Sequence, residues 1–417
     1  MSSTPDLIRR NTLWLAASQI FVGAGTQLTI ALAPLMVLTL LGSPLFAGLS
    51  TGIVGVSRFI AGYPLGRLTD RYGRKPGLFL GLGLACTGAL IVGTAMSARS
   101  FPGVVVGLFC FASGMNGVQQ LRLAAAEMYP PRLRGTIIGL MLTGSLVGVV
   151  VAPSMVHLAE SLAGTLGTEP LAMPWFLLLA LILPAVFTVS RVRPDPRQIA
   201  VDLARYYPGE SIAPPEPESA SRKFGYREFA ADPRRRLAAV TMFASHAAMQ
   251  MAMVSVPLQL VHHGHTMTAI ALSSSIHVGG MFGPSIPLGR LADRIGPRSV
   301  LVGGLILEAI GVATAVATGE HFWVTVGIFL VGVGWCGTSV ASTAAIVDAT
   351  PPFARGRAVG LVDSVAAVGV IFPLSVGVIA EFWGVQTAGA VAMLLLLLPF
   401  PFIVRSLAPM QVEAAKG

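Results

Sequence analysis

The sequence contains few charged residues: Asp, Glu, Lys and Arg make up 11% of the 417 residues, against about 25% in an ordinary soluble domain. Cysteine is scarcer still. Cys86, Cys110 and Cys336 lie in apolar surroundings without metal-ligand spacing, and they are typical of small packing residues. No glycine-rich phosphate loop and no plausible pair of nucleophile and base is present. We therefore predict no enzymatic activity, no bound metal and no cofactor.

Long apolar runs take the place of the missing charge. Apolar residues reach 54% of the chain, with 47 glycines. A helix needs about 20 apolar residues to cross the hydrocarbon core of a membrane. Runs of about that length predict an all-α membrane protein with twelve spans, at roughly 12–40, 45–66, 77–97, 102–128, 135–160, 170–190, 237–263, 267–290, 299–318, 322–347, 357–382 and 385–404.

The basic charge is distributed by side of the membrane. The formal net charge is +9, which could indicate a nucleic-acid partner, but all 28 Lys and Arg except Arg58, Arg99 and Arg122 fall on one side of the predicted spans. Such asymmetry is the positive-inside bias, and it predicts that both termini are cytoplasmic. The outer ends of spans then carry the interfacial tryptophans Trp175, Trp323 and Trp383. We predict a multi-pass inner-membrane protein surrounded by lipid, with no nucleic-acid partner.

One polar segment divides the chain. Residues 191–236 contain "PGESIAPPEPES" and three consecutive arginines, and such a composition is typical of a linker that buries no core, with a surface helix at 197–206. The predicted domains are an N-terminal six-helix bundle (1–190), this cytoplasmic linker (191–236) and a C-terminal six-helix bundle (237–417).

Two charged motifs recur in the two halves. "GRLTDRYGRK" at 66–75 is repeated as "GRLADRIGPR" at 289–298, with six of ten positions identical. "AAAEMYPPRLRGTIIGL" at 124–140 is echoed by "AAIVDATPPFARGRAVGL" at 344–361. Because both pairs recur at nearly the same offset, they indicate an internal duplication into two six-helix halves.

The first motif resembles the signature loop of the major facilitator superfamily, G-x-L-x-D-R-x-G-R-R/K. The matching positions are Gly66, Leu68, Asp70, Arg71, Gly73, Arg74 and Lys75; the second copy departs from the pattern at Pro297. The resemblance covers essentially the whole chain. It implies two pseudo-symmetric six-helix bundles that rock about a central cavity, and secondary active transport of a small molecule by alternating access. We expect a monomer with a coupling proton.

The repeated loops predict a reversible gate. Partly exposed ion pairs contribute about 0–1 kcal/mol each, so several can latch one state without freezing it. Asp70 can pair with an Arg or with the positive end of a helix, and Arg71, Arg74 or Lys75 can meet Glu127. A purely topological role of the basic residues is the alternative. In the family such residues latch the outward-open state, which implies a gate of Asp70, Arg71, Arg74, Glu127, Arg134, Asp293, Arg294, Asp348 and Arg355.

Charges inside the spans indicate a functional cavity, because a charge in a bilayer is costly. Span 4 is the most polar, with Asn116, Gln119, Gln120 and Arg122 on about half of its circumference at 100° per residue. Arg58 lies in span 2, where it either lines the cavity or snorkels toward the gate. Arg122 has a structural alternative too, a pair with Glu127.

In this superfamily the first and fourth helices of each half line most of the cavity. That resemblance implicates spans 1, 4, 7 and 10, and adds the candidates Gln19, Gln27, His246, Gln250, Trp335 and Ser339. Trp335 offers an aromatic wall for a ring-bearing substrate, with core packing as the alternative. The candidates for proton coupling are Asp363, His246 and Glu308.

Two arginines near the cavity, and no carboxylate on spans 1, 4 or 7, favour a substrate with an anionic group. The alternative is a proton-coupled exporter of drugs or hydrophobic cations. That subfamily carries an Arg four residues before a Gly in span 4, where this chain has Cys110 before Gly114. It also carries a G-P-x-x-G-G motif in span 5, whose spacing is altered here.

Overall fold

The computed structural model describes residues 5–42, 48–208, 210, 224–265, 267–369 and 371–407. The predicted all-helical architecture is confirmed. In chain order the spans are Asp6–Leu41 (span 1), Gly48–Tyr72 (2), Arg74–Ser97 (3), Phe101–Val118 with Leu121–Ala126 (4), Pro131–Leu166 (5), Met173–Arg191 (6), Pro233–His262 (7), Met267–Phe282 with Ser285–Ile295 (8), Pro297–Ala317 (9), His321–Asp348 (10), Arg355–Val368 with Ile371–Trp383 (11) and Val385–Leu396 with Phe400–Leu407 (12).

Seven helices in these described ranges are long and apolar enough to cross a membrane by length and composition alone, namely those of spans 3, 4, 6, 7, 9, 10 and 12. The other five predicted spans are also helical. Four of them, spans 2, 5, 8 and 11, form most of the contacts between the two halves of the chain. In spans 8 and 11 a break leaves helices of 16, 11, 14 and 13 residues, each shorter than a helix that crosses a membrane alone.

Spans 4, 8, 11 and 12 are each divided into two helices, which the hydropathy pattern did not predict. Span 4 is interrupted at Gln119–Gln120, where the Gln120 N–H bonds the carbonyl three residues back instead of four. Span 8 is interrupted at Gly283 and Pro284, since proline has no N–H to continue the helical ladder. The break in span 4 lies beside Arg122, and the break in span 8 lies directly before Ser285.

Close backbone approach joins the halves. Span 2 packs on span 11 through Gly62 and Gly66, which face Gly360 and Gly356. A Cβ added to Gly66 would lie 2.2 Å from the Gly356 carbonyl oxygen. The second contact, between spans 5 and 8, repeats this pattern with Gly135, Gly139, Ser285 and Gly289. Small residues four apart are a known means of bringing membrane helices together.

The linker is more ordered at its ends than its composition predicts. It contains the short helices Pro196–Val201, Leu203–Tyr206 and Tyr226–Ala231. Ile199, Leu203 and Tyr207 are buried in the core of the first half, so the expectation that the linker buries no core was wrong for this segment. Asp195 fixes this segment of the linker against span 3, because its carboxylate accepts hydrogen bonds from the Arg74 and Lys75 N–H groups at the start of that helix. The Pro/Glu/Ser-rich stretch at 211–223 lies outside the described residues.

Candidate functional site

Asp70 is the centre of the contact between spans 2 and 11. It is 4% exposed, and its carboxylate accepts the N–H groups of Gly356 at 2.8 Å and Arg357 at 2.9 Å. The side chains of Arg357 and Arg74 donate to the same carboxylate at 3.1 Å and 3.0 Å. A carboxylate at a helix N-terminus is favoured by the free N–H groups and by the helix dipole. Asp70 of the first half therefore caps a helix of the second half.

Arg74 connects this cap to the end of span 4. Its guanidinium forms a bidentate pair with Glu127, with Nε–Oε1 at 2.7 Å and Nη2–Oε2 at 2.9 Å. It also donates to the Thr69 hydroxyl at 3.0 Å and, across the halves, to the Pro352 carbonyl at 3.3 Å. Arg74 and Glu127 are fully buried. The side chain that the sequence placed in a breakable surface latch is thus part of a desolvated network.

The second copy of the motif makes the mirrored contact. Asp293, on span 8 of the second half, accepts the N–H groups of Gly135 and Thr136 near the start of span 5, both at 2.7 Å. The Thr136 hydroxyl donates to the same carboxylate. Each half therefore supplies an aspartate that caps a helix of the other half.

The two copies differ because Pro297 stands where the first copy has Arg74. Without an arginine at that position, Asp348 is left to pair with Arg134 of the first half. Arg355, the counterpart of Arg134, donates to the Val347 and Thr350 carbonyls of its own half at 3.0 Å each. The first half therefore pairs Glu127 with its own Arg74, whereas the second half pairs Asp348 with Arg134 of the first half.

The predicted gate residues do not all meet. Arg71 and Arg294 are exposed on the surface, and Arg71 lies over the Tyr72 ring. Arg357, absent from the prediction, takes the place beside Asp70. Four carboxylates and four guanidiniums make up what we call the gate network: Asp70, Glu127, Asp293, Asp348, Arg74, Arg134, Arg355 and Arg357. It joins the two halves on the side of the molecule that the charge distribution predicts to be cytoplasmic.

The linker covers the same side. The Phe224 carbonyl accepts from Arg357 at 3.0 Å, and the Phe224 ring lies under that guanidinium. Tyr226 stacks on Tyr63 of span 2 with ring centroids 5.3 Å apart. The end of the linker therefore touches both halves beside the Asp70 cap.

A third ion pair between the halves lies deeper in the protein. Arg122 of span 4 donates from Nη2 to Asp363 of span 11 at 2.9 Å, and the two side chains are 11% and 14% exposed. Arg58 of span 2 interacts electrostatically with both. The Arg122 Nε–H has no hydrogen-bond partner among the described residues. The pair with Glu127 considered for Arg122 does not form, because Arg74 occupies that carboxylate.

A small cavity of about 10 Å³ adjoins this pair, room for about one water molecule. It is lined by Arg122, Met242, Ser342, Thr343, Ile346, Val359, Val362 and Asp363. Residues of spans 4, 7, 10 and 11 therefore converge here. The described cavity is too small to hold an organic solute in this conformation.

Aromatic side chains lie on the second-half wall of the site. The Trp335 ring is 8% exposed, packs edge-on against Phe282 at 6.2 Å, and directs its N–H toward His246 Nδ1 at 3.4 Å. His246 is within electrostatic range of Arg58 and Arg122. Ser339, one turn along from Trp335, is fully buried against Met242.

Other predicted cavity residues serve packing or lie apart. Gln19 is buried and bonds Ser145 of span 5; Gln120 accepts from Thr69 near the gate; Asn116 reaches the Arg58 carbonyl at 3.5 Å. Gln119 and Gln250 are half-buried. The side chain of Gln27 lies outside the described residues. Glu308 is fully buried within the second half.

Comparisons with known proteins agree with this architecture. The family model described as Major Facilitator Superfamily matches residues 15–283 and 238–415. The uncharacterized MFS-type transporter YdeG of Bacillus subtilis is 29% identical over 368 residues, which cover 87% of this chain and 84% of the relative. The riboflavin transporter RfnT of Brucella anthropi is 27% identical over 365 residues, 85% of each chain.

Solved structures share the fold at lower identity. FucP in the outward conformation superposes with a TM-score of 0.71 at 17% identity, over 94% of this chain and 98% of that one. The human organic anion transporter MFSD10 gives a TM-score of 0.73 at 15% identity, over 95% and 99%. Fold, paired gate loops and family model agree: the chain belongs to the Major Facilitator Superfamily and is a multi-pass membrane transporter, not an enzyme.

Proposed function

We propose that this protein is a secondary active transporter of a small organic solute with an anionic group. The observation that carries the proposal is the Arg122–Asp363 pair, which joins the two halves beside the cavity with Arg58 nearby. Two guanidiniums and one carboxylate leave the site one positive charge in excess. A cationic site of this kind favours an anion, and Arg recognises a carboxylate or phosphate in a bidentate manner.

Asp363 offers a route to proton coupling. A substrate anion that binds Arg122 competes with Asp363 for the same guanidinium. The displaced carboxylate would lie in a partly desolvated place beside a bound anion, and protonation removes the repulsion between them. Substrate and proton would then enter together. His246, which adjoins both arginines, is the second candidate to accept the proton.

The aromatic wall favours a ring-bearing solute. Trp335 and Phe282 present ring surface on the second-half side, and the relative RfnT is named as a riboflavin transporter. We therefore include riboflavin as a neutral, ring-bearing test compound. Export of hydrophobic cations is less well supported, since the one carboxylate beside the described cavity is already paired with Arg122.

The orientation and assembly are part of the proposal. We infer from the charge distribution that the motif loops, the linker and both termini are cytoplasmic, and that the protein lies in the inner membrane as a monomer. The domain boundaries 1–190, 191–236 and 237–417 follow from the internal duplication.

We expect organic anions to stabilise the purified protein against thermal unfolding and to lose this effect in Arg122→Ala. Binding to the folded state at about 100 times Kd raises the free energy of unfolding by about 2.7 kcal/mol. Arg122→Lys should weaken the effect, since it keeps the charge but loses the planar fork. Asp363→Asn should strengthen it, because Arg122 loses its competing carboxylate. The measurement is a thermal-shift series with dicarboxylates, aromatic carboxylates, riboflavin and lipophilic cations.

Arg132→Ala is the control, because it removes one positive charge at an exposed position outside the cavity. It should leave every thermal shift unchanged. Stabilisation by lipophilic cations that is lost in Asp363→Asn and kept in Arg122→Ala would reject the anion proposal in favour of an exporter. Stabilisation by riboflavin that depends on Trp335 and not on Arg122 would assign a neutral ring-bearing substrate.

A further inference from the structure

Glu308 is an isolated carboxyl group in the middle of span 9. It lies eleven residues after Pro297, roughly 16 Å along the helix axis, and it is 0% exposed. Neither carboxyl oxygen makes a well-formed hydrogen bond to any described residue. A carboxyl group in such a place is costly for the fold and is a functional candidate by default.

Among the residues that the structure describes, the surroundings of Glu308 contain hydroxyls and no cation. The Ser245 hydroxyl of span 7 interacts with it and is hydrogen-bonded to Thr338 of span 10 at 2.7 Å. The backbone of Gly334 packs directly against its side chain. On span 7 the titratable group in the middle of the helix is His246, whose ring faces Trp335; Arg234, Arg235, Arg236 and His262 lie at the two ends of that helix. The other titratable groups on the packed helices lie at helix ends or toward span 8, namely Arg290, Asp293, Arg294, Arg298, His321, Cys336 and Asp348; span 12 has none in 385–403.

The first half shows that the fold does not need this carboxyl. Span 3 packs on span 4 through Gly81 and Gly114, as span 9 packs on span 10 through Gly304 and Gly334. A Cβ on Gly114 would meet the backbone nitrogen of Ala85, and a Cβ on Gly334 would meet that of Glu308. Ala85, the equivalent residue, is fully buried and apolar. The same helix crossing is therefore built with alanine in one half and with glutamate in the other.

We propose that Glu308 is a proton-binding site inside the second half, separate from the Arg122–Asp363 pair and reached from the cavity through Ser245 and Thr338. An ionised carboxylate without a cationic partner is strongly disfavoured in such surroundings. The group therefore carries its proton in the conformation with the closed gate.

The Ser245 and Thr338 hydroxyls provide a path by which Glu308 can release its proton. Ser245 is the neighbour of His246 along span 7, and Thr338 bonds the Trp335 carbonyl, so both hydroxyls lie one layer behind the cavity wall. When Glu308 releases its proton to the Ser245 hydroxyl, that hydroxyl passes its own proton to Thr338, and Thr338 passes one to a water molecule of the cavity. Each hydroxyl gains one proton and loses one, so Glu308 becomes a carboxylate and the water that accepts the proton becomes a hydronium ion.

The test uses infrared difference spectroscopy on the full-length protein in lipid nanodiscs, with pH and exchange into D₂O as the variables. We expect a band of a protonated carboxyl that is lost in Glu308→Gln and kept in Asp363→Asn. Glu308→Ala should fold, since Ala85 shows that the site accepts alanine, and it should lack the band as well. Ser245→Ala should keep the band but slow its shift on exchange into D₂O.

Because no substrate is needed, this result is independent of the anion-binding screen. A wild-type protein without the Glu308-dependent band would overturn the proposal. So would a band that neither responds to pH nor shifts in D₂O, because that proton would be purely structural. A rate of exchange that is equal in Ser245→Ala and in the wild type would overturn the route through the hydroxyls.

Discussion

Asp70→Ala is expected to abolish most transport while the protein still folds. One carboxylate accepts four hydrogen bonds from Gly356, Arg357 and Arg74, and alanine leaves two buried guanidiniums and a helix N-terminus without it. Removing one partner of a buried ion pair costs about 3–5 kcal/mol. This cost falls on the closed-gate conformation alone, so the equilibrium shifts toward the open gate by roughly two to four factors of ten, at about 1.4 kcal/mol per factor.

The shift can be measured without a substrate. Spin labels on Tyr72→Cys and Ile295→Cys, which are exposed at equivalent positions of the two halves, report the separation of the halves on the gate side. The three native cysteines are first replaced. We expect a longer and broader distance distribution in Asp70→Ala than in the parent protein.

Asp293→Ala is the matched comparison. Asp293 caps span 5 in the same way, but the hydrogen bonds that it accepts come from Gly135 and Thr136, and no arginine donates to it in the described structure. Its loss should open the gate to a smaller extent. Equal distance distributions in Asp70→Ala and the parent protein would show that the cap does not hold the gate closed, and that the repeated charge of the loop serves topology instead.

Gly66→Ala is expected to hold the gate open by a different physical route. The added Cβ would lie 2.2 Å from the Gly356 carbonyl oxygen, and the clashing atom is backbone, which cannot move aside like a flexible side chain. Spans 2 and 11 must separate, and the Asp70 hydrogen bonds at the same crossing lengthen with them. We expect loss of transport and a wider separation of the spin labels, as in Asp70→Ala.

Gly83→Ala provides the control for this substitution. Gly83 lies on span 3 with no atom within 4 Å of an added Cβ, and alanine is the better helix former, so the variant should match the parent protein. Gly289→Ala, at 2.2 Å from the Gly135 carbonyl oxygen, should reproduce the effect of Gly66→Ala. If Gly66→Ala retains the parent distance distribution, the crossing is more compliant than its geometry indicates.

The fold was largely predictable from the sequence, because apolar run length, charge asymmetry and a repeated motif are all local signals. For Asp70 the sequence left two partners open, an Arg or the positive end of a helix, and the structure contains both. Its partner Arg357 was missed since the arginine lies in the repeat but has no charged counterpart in the first half, where Thr136 stands. The Asp348–Arg134 pair between the halves was not predicted either. It forms because Pro297 leaves Asp348 without the arginine that pairs with Glu127 in the first half.

The cavity was harder to predict because it depends on side-chain direction across helices far apart in sequence. The polar face of span 4 was read from an unbroken helix, whereas the break at Gln119–Gln120 sends Gln120 toward the gate and Arg122 toward Asp363. Gln19 was expected to face the cavity, but it bonds Ser145 of the neighbouring span. A periodic pattern indicates that one face of a helix is polar, but it does not indicate which neighbouring residue forms hydrogen bonds with that face.

The two reciprocal caps follow the contact rule of an isologous interface, in which both partners use the same surface patch. In a two-fold dimer, residue i of one copy contacts residue j of the other, and j contacts i in return. Asp70 with Gly356, and Asp293 with Gly135, obey this rule within a single chain. A six-helix unit carrying one such aspartate and one such glycine would thus form both caps simply by pairing with itself. The two copies depart from this symmetry at Pro297, where the first copy has Arg74.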